Sequence, residues 1–273
     1  MKKKVLLMSP AMFILFAFAI VPLFIMLYYS FLSDGETARL TLQNYAKFFS
    51  KGFYLKLTWK TIKMSLIVTF ICMILAYPMA YIMAKAINKG KNLLLLLIII
   101  PFWTSQLVRA YSWLVFLRDG GVLAQFLNSM GLIRSTDLGI LFTSKAAIIG
   151  LVHIFFPYMV ITIYMALEKL DNSIIDASRS LGAGPVETFR RIILPLSKPG
   201  IITGSILVFV PCLGSFVEPR ILGGVNGSVI GTVIEDQFFE IYGWNFGAAI
   251  AFILLSMVLL SMGGMSILLN KEK

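Results

Sequence analysis

Six long apolar runs limit this chain to one kind of structure. They cover approximately residues 5–32, 61–84, 93–117, 146–167, 201–221 and 247–269. A helix needs about 20 apolar residues to cross the hydrocarbon layer, and a membrane strand needs only about half that. Lipid offers no partner for a backbone N–H or C=O, so runs of this length must form helices. The expected fold is an all-α integral membrane protein with six transmembrane helices. Composition agrees: 59% of residues are hydrophobic and 14% are charged, against about a quarter charged in soluble domains. A net charge of +11 would suit nucleic acid if it lay on one face. Here the basic residues sit at the ends of apolar runs, where membrane topology and anionic lipid explain them. Nucleic acid is therefore not an expected partner, and membrane lipids are.

The first run contains Ala17-Phe18-Ala19, a sequence resembling a signal cleavage site, but it continues to Tyr28. That is long for a signal core, so a retained helix is expected. Leu42, Tyr45, Phe48 and Phe49 fall at helical spacing in the polar segment that follows and predict an interfacial helix. Pro101 breaks the third run, whose second half carries Thr104, Ser105, Gln106 and Arg109. That half is too polar to face lipid all round, and Arg109 is expected to snorkel outward or pair with an acid. His153, inside the fourth run, is expected to be a hydrogen-bonded packing residue. Cys72 and Cys212, both inside runs, read as small core residues. Pro211 and Gly214 break the fifth run.

The segment Leu170–Gly200 is polar yet has the marks of built structure. Ser173 with Asp176 three residues later forms a capping-box pattern before a helix over 174–181. Gly182 is placed to end that helix in the left-handed conformation. Gly184-Pro185 restarts the chain, with Pro185 at the first helical position and Glu187 near the positive helix end. Pro195 and Pro199 are expected to close this second helix before the fifth run. The result would be a rigid helix pair on the membrane surface. Six spans put both termini on one side. Lys2–Lys4, Lys85, Lys89, Lys91 and the basic residues of 168–199 then share that side, which the positive-inside rule assigns to the cytoplasm. Arg39, Lys47, Lys51, Lys56 and Lys60 weaken the bias without reversing it.

Within this segment, Asp176-Ala177-Ser178, three residues, Gly182, nine residues, Ile192, one residue and Leu194-Pro195 resemble the "EAA" loop of ABC importer permeases. Its pattern is E-A-A-x3-G-x9-I-x-L-P. Asp176 and Ser178 depart conservatively from it. Phe102-Trp103-Thr104, Glu168-Lys169-Leu170-Asp171, Leu222-Gly223-Gly224 and Trp244-Asn245-Phe246-Gly247-Ala248-Ala249 resemble the permeases of spermidine/putrescine importers, the B-type subunit in particular. Asn245 and Arg220 depart from that pattern. The resemblance implies the transmembrane domain of a type I ABC importer: a single domain over 1–273, with its permease core over about 58–268 and a cytoplasmic coupling loop over 168–199. It further implies an inner-membrane location, a heterodimeric pore with a second, C-type permease, an ATPase dimer that binds ATP and Mg, and a periplasmic or lipid-tethered polyamine-binding protein. Asp176, Ala177, Ser178, Gly182, Glu187, Phe189, Arg190, Leu194 and Pro195 become candidates for ATPase coupling. In that reading Ala177 and Ser178 allow close approach, and Phe189 is a knob for the partner.

The chain has no G-x-x-x-x-G-K-[ST] phosphate loop, no nucleophile elbow and no metal-ligand cluster. No catalytic role, metal or cofactor is expected of it. A polyamine path should offer carboxylates and aromatic faces. Trp103, Tyr111, Tyr158, Glu218 and Asp236 are the candidates, with Glu240 at the outer mouth. An ABC permease for ferric ion, thiamine, sulfate or another organic cation would share the same loop. A gradient-driven carrier would show inverted repeats, and no self-similar halves are visible.

Overall fold

The structure is a computed structural model that describes residues 12–33, 39–87 and 89–270, with side chains to residue 264. The basic tail at Lys2–Lys4 lies outside the described residues. Among the described residues there are helices and no strands beyond one isolated bridge. In order they are α1 (Met12–Ser30), α2 (Gln43–Ser50), α3 (Gly52–Tyr81, continued by a π-turn Ile82–Ala86), α4 (Lys91–Trp103), α5 (Gln106–Leu117) and α6 (Val122–Ser129). Then follow α7 (Ser144–Glu168), α8 (Asn172–Ser180), α9 (Pro185–Gly214), α10 (219–227), α11 (Ile230–Phe239) and α12 (Trp244–Asn270).

Five of these helices are long and apolar enough to cross a membrane alone: α1, α3, α7, α9 and α12. The sixth crossing is a bent pair, α4 followed by α5 and α6, with a 94° turn between its halves. Lys91, at the start of α4, meets Glu168 at the end of α7 at 3.0 Å. Leu117, at the end of α5, packs with Ala146 at the start of α7. The bent pair therefore covers the same thickness as the straight helix beside it and counts as one span. Its break lies at Thr104–Ser105 rather than at Pro101, which opens a 3-10 turn over Ile100–Trp103. Proline lacks a donor only toward the preceding turn, so the chain completes one tighter turn before it parts.

The chain falls into two compact units, divided at Thr58/Trp59, Thr232/Val233 and Met257/Val258. In the first, Asn44 of α2 donates to the carbonyls of Ser30 and Leu32 at 3.1 and 2.8 Å. It thus serves the last carbonyl of α1, which no helical N–H reaches, and that of Leu32 just past the helix. The aromatic residues expected on an interfacial helix are split. Phe48 turns inward and stacks on Tyr54, which meets Phe246 edge-on, while Leu42 and Phe49 stay exposed.

The core of the second unit lies among α3, α7 and α9. Met64, Val68, Cys72, Ala76 and Ala80 recur every fourth residue on α3 and are all buried. Cys72 and Cys212 are free, buried core residues. Between α7 and α9, Gly200 and Gly204 face the neighbouring helix. A Cβ on Gly200 would lie 2.5 Å from Ala166 Cβ and 2.8 Å from the Thr162 carbonyl. Two glycines one turn apart let the backbones approach as larger residues would not, and in lipid such packing replaces hydrophobic burial as the force between helices. Gly200→Leu should therefore cost about 1–3 kcal/mol by overpacking. A lowered midpoint of thermal unfolding in detergent is the expected result, and an unchanged one would contradict the close approach.

Candidate functional site

The polar segment after α7 is built from its caps inward. α8 begins two residues before the expected start, because Asp171, not Ser173, is its N-cap: its carboxylate accepts the Ser173 amide at 2.9 Å. That hydrogen bond, with a second from the Ser173 side chain, holds the Asp171 carboxyl below the usual carboxylate range. Asp176 does not reach back to the cap; it faces Arg179 at 3.7 Å. At the other end Gly182 has φ +87°. Its amide donates to the Arg179 carbonyl at 2.9 Å, and Ala183 donates to the Ser178 carbonyl at 3.1 Å. This paired closure needs a left-handed residue at position 182, where glycine has no Cβ penalty.

Pro185 starts α9 as expected, with Gly184 as its cap. Pro195 and Pro199 do not close that helix. It runs unbroken from Pro185 to Gly214, with a π-turn over Phe189–Ile193 directly before Pro195. Membrane helices commonly tolerate prolines with local π adjustments of this kind. The hydroxyls of Ser197 and Thr203 also return to carbonyls in this stretch, those of Leu194 and Pro199. Leu194 and Pro195 thus lie inside a helix, and the surface segment is continuous with the fifth span. Pro211 is likewise inside it, and the break comes after Gly214.

The segment's inner face departs from the sequence expectation. Ser178 is buried, and its hydroxyl meets that of Thr188, also buried, at 2.9 Å. It joins α8 to α9 and offers no surface to a partner. Phe189 is half-buried and points back into the chain, edge-on to Tyr77 and Tyr81 at 5.6 and 6.3 Å. Ala177, Asp176, Glu187 and Arg190 are exposed. Glu187 pairs with Arg191 at 3.0 Å. The apolar groups presented outward are Leu181, 89% exposed, and Val186, 73% exposed. Sequence reasoning passed over both, although leucine next to the terminating glycine was a legible signal.

The segment rests on one face of α3. Tyr77, Tyr81 and Lys85 stand four residues apart. Tyr77 shares a hydrogen bond with Ser197 at 2.9 Å. Lys85 donates to the Leu170 carbonyl at 2.6 Å and to Asn172 Oδ1 at 3.0 Å. Lys91 adds the pair with Glu168. The lysines read as topology signals are also clamps on the base of α8.

The second candidate region surrounds the break between α4 and α5. Glu218 is buried, at 1% exposure, and both its oxygens accept from the Gln106 amide at 3.0 and 3.1 Å. Gly150 of α7 leaves the room, since a Cβ there would lie 3.3 Å from Glu218 Cγ. Arg109 does not snorkel, and it forms no ion pair among the described residues: its guanidinium donates to the Pro101 carbonyl at 3.1 Å, at the broken turn. The same carbonyl accepts from the Thr104 amide and hydroxyl at 3.2 and 2.7 Å. His153 packs edge-on to Trp113 at 5.5 Å, but its buried Nδ1 has no hydrogen-bond partner among the described residues, so the packing expected of it is present and the hydrogen bond is not made at that atom. The candidate path residues do not converge on one point. Tyr158 packs against Phe102 at 4.8 Å, Trp103 is 80% exposed, and Tyr111 is exposed on α5. Asp236 belongs to the other unit, on α11, where its carbonyl accepts from Glu240 and Ile241. Gln106 was missed as a partner for Glu218. Its place in a polar run within a span was the available sign.

Residues 76–269 match the family model described as "Binding-protein-dependent transport system inner membrane component". The chain belongs to that family. It is 43% identical over 235 residues to the spermidine/putrescine transport system permease protein PotB of Escherichia coli K12, covering 85% of each chain. It is 40% identical over 238 residues to PotB of Haemophilus influenzae, covering 86% of this chain and 82% of that one. Among solved structures, the fold is similar to a bacterial ABC transporter involved in import of the acidic polysaccharide alginate. The TM-score is 0.74 at 16% identity, with 97% of this chain and 96% of that one covered. The MetNI methionine ABC transporter in an inward-facing form gives a TM-score of 0.59 at 15% identity, with 80% and 95% covered. The permease is thus a multi-pass inner-membrane protein with the transmembrane fold of type I ABC importers.

Two outcomes follow from the cap and the buried clamp. Ser178→Val leaves the Thr188 hydroxyl buried without its partner, a loss of about 1–3 kcal/mol. Amide exchange over 172–190 should rise, and unchanged exchange would rule the clamp out. The Asp171 cap has a depressed folded pKa, so its contribution is present above the unfolded value of about 3.9. It is lost as pH falls through the folded value. Protection of the Ser173 amide should persist at neutral pH and disappear in acid, and Asp171→Ala should abolish that pH dependence.

Proposed function

We propose that this permease forms one half of the pore of an ATP-driven polyamine importer, taking up spermidine and putrescine. The observation that carries the reading is 43% identity over 85% of the chain to a spermidine/putrescine permease. Identity at that level over most of the chain supports a related pore and a related solute. A second, C-type permease completes the pathway, and a polyamine-binding protein delivers the solute from the periplasm. ATP and Mg are bound by a separate ATPase dimer.

The ATPase docks on α8 and the first turns of α9. A stiff, doubly capped segment with exposed Leu181 and Val186 suits a partner that must push on it, with Asp176, Ala177, Glu187 and Arg190 around them. Ser178, Gly182, Phe189, Leu194 and Pro195 set its shape from within. Both termini and this segment face the cytoplasm. The placement is supported by Lys85 at the base of α8 and Lys91 at the end of α7, which bring two basic segments to one membrane end.

Glu218 is the carboxylate of the polyamine path, with Gln106 as its resting partner. Trp103, Tyr111 and Tyr158 supply aromatic faces along the route, and Asp236 is a further carboxylate for the solute. A carboxylate whose partner is a neutral amide can exchange it for an ammonium group, a stronger charge-assisted hydrogen bond.

The test is uptake of labelled spermidine into proteoliposomes carrying both permeases, the ATPase and the binding protein. Uptake should require ATP. Glu218→Gln should raise the KM about tenfold, the loss of one charge-assisted hydrogen bond. Wild-type vesicles that take up no polyamine would overturn the substrate, and uptake without the ATPase would overturn the energy source. Leu181→Asp with Val186→Asp should abolish co-purification with the ATPase.

A further inference from the structure

The contacts under the surface segment are more specific than docking requires. Three side chains on one face of α3, at positions 77, 81 and 85, hold three different points of it. Tyr77 bonds to Ser197 of α9. Tyr77 and Tyr81 both stand edge-on to Phe189, eight residues earlier on the same helix. Lys85 holds the Leu170 carbonyl and Asn172 at the base of α8. Eight residues of helix separate Phe189 and Ser197 by about 12 Å, and the Lys85 contacts lie on a different helix. Three anchors on two helices fix orientation as well as position.

From these anchors we infer that Tyr77 and Tyr81 are positioning residues that carry the ATPase stroke from the surface segment into α3. The inference rests on the docking reading given above. Three features make the linkage stiff. α9 runs without interruption from Pro185 into the membrane. Gly200 and Gly204 hold it closely to α7. Lys91 joins α4 to the end of α7 through Glu168. Packed elements of this kind move as bodies and do not deform continuously. A push on α8 therefore tilts α3, α7 and α9 together, and the give is left to the break at Thr104–Ser105. Without the ring contacts the segment would still dock, but its first turns could rotate past α3 and the stroke would be lost.

The measurement is the stimulation of ATP hydrolysis by the system's own solute-loaded binding protein. That signal must cross the spans, and it reports coupling whichever solute the protein carries. In the complete transporter in liposomes, Tyr77→Leu with Tyr81→Leu should retain the ATPase and its basal hydrolysis. Stimulation should fall at least about fivefold, the lower end of ordinary coupling energies. Tyr81→Phe keeps the ring and should restore stimulation in the Tyr77 wild-type background. Stimulation unchanged in the double leucine variant overturns the proposal. So does loss of the ATPase from that variant, since the tyrosines would then only shape the docking surface. The docking reading is judged separately: if Leu181→Asp with Val186→Asp still co-purifies with the ATPase, docking lies elsewhere, whatever the tyrosine variants do.

Discussion

Lipid supplies no hydrogen bonds, and the whole structure depends on that constraint. Every backbone group inside the hydrocarbon layer must find a partner within the protein. Where the helices are regular, the helix itself meets the demand. Where they are not, a side chain meets it. Asn44 takes the last carbonyl of α1 and that of Leu32 just past it, and Arg109 joins Thr104 on the Pro101 carbonyl at the bend of the third span. α9 stays continuous through its prolines, with a π-turn before Pro195. Polar residues that look like candidate ligands in the sequence are in several cases the means by which an irregular helix survives in a membrane.

The same constraint shapes the surface segment. Because α9 survives its prolines, the segment is not a separate helix pair resting on the bilayer. Its second half is the first turns of a spanning helix. Its first half is tied to that helix by Ser178 and Thr188, and to the spans by two lysines and two tyrosines. An ATPase acting there would act on the spans directly. Residues 76–269, matched by the family model, contain all of these contacts.

Much of this was legible in the sequence because it depends on local chemistry. The apolar runs gave the spans. The left-handed turn at Gly182 and the helix start at Pro185 follow from the backbone preferences of single residues. What failed were choices between near-equal local options. Asp171 and Ser173 are both good caps, and which one is used depends on where Lys85 and Asn172 hold the chain. Pro195 reads as a helix stop unless the turn before it widens.

The sequence by itself determined that the chain is helical, that it crosses the membrane six times and that a capped polar segment lies between the fourth and fifth spans. Each follows from hydropathy, turn chemistry or spacing along the chain, which are properties of neighbours. Tertiary structure alone decided which way side chains point. Ser178 and Phe189, which the motif would offer to a partner, turn inward to Thr188 and to Tyr77 and Tyr81. Leu181 and Val186 turn out. Glu218 meets Gln106 from a residue 112 positions away. Such pairings depend on how helices pack, and no periodicity along a single chain records them.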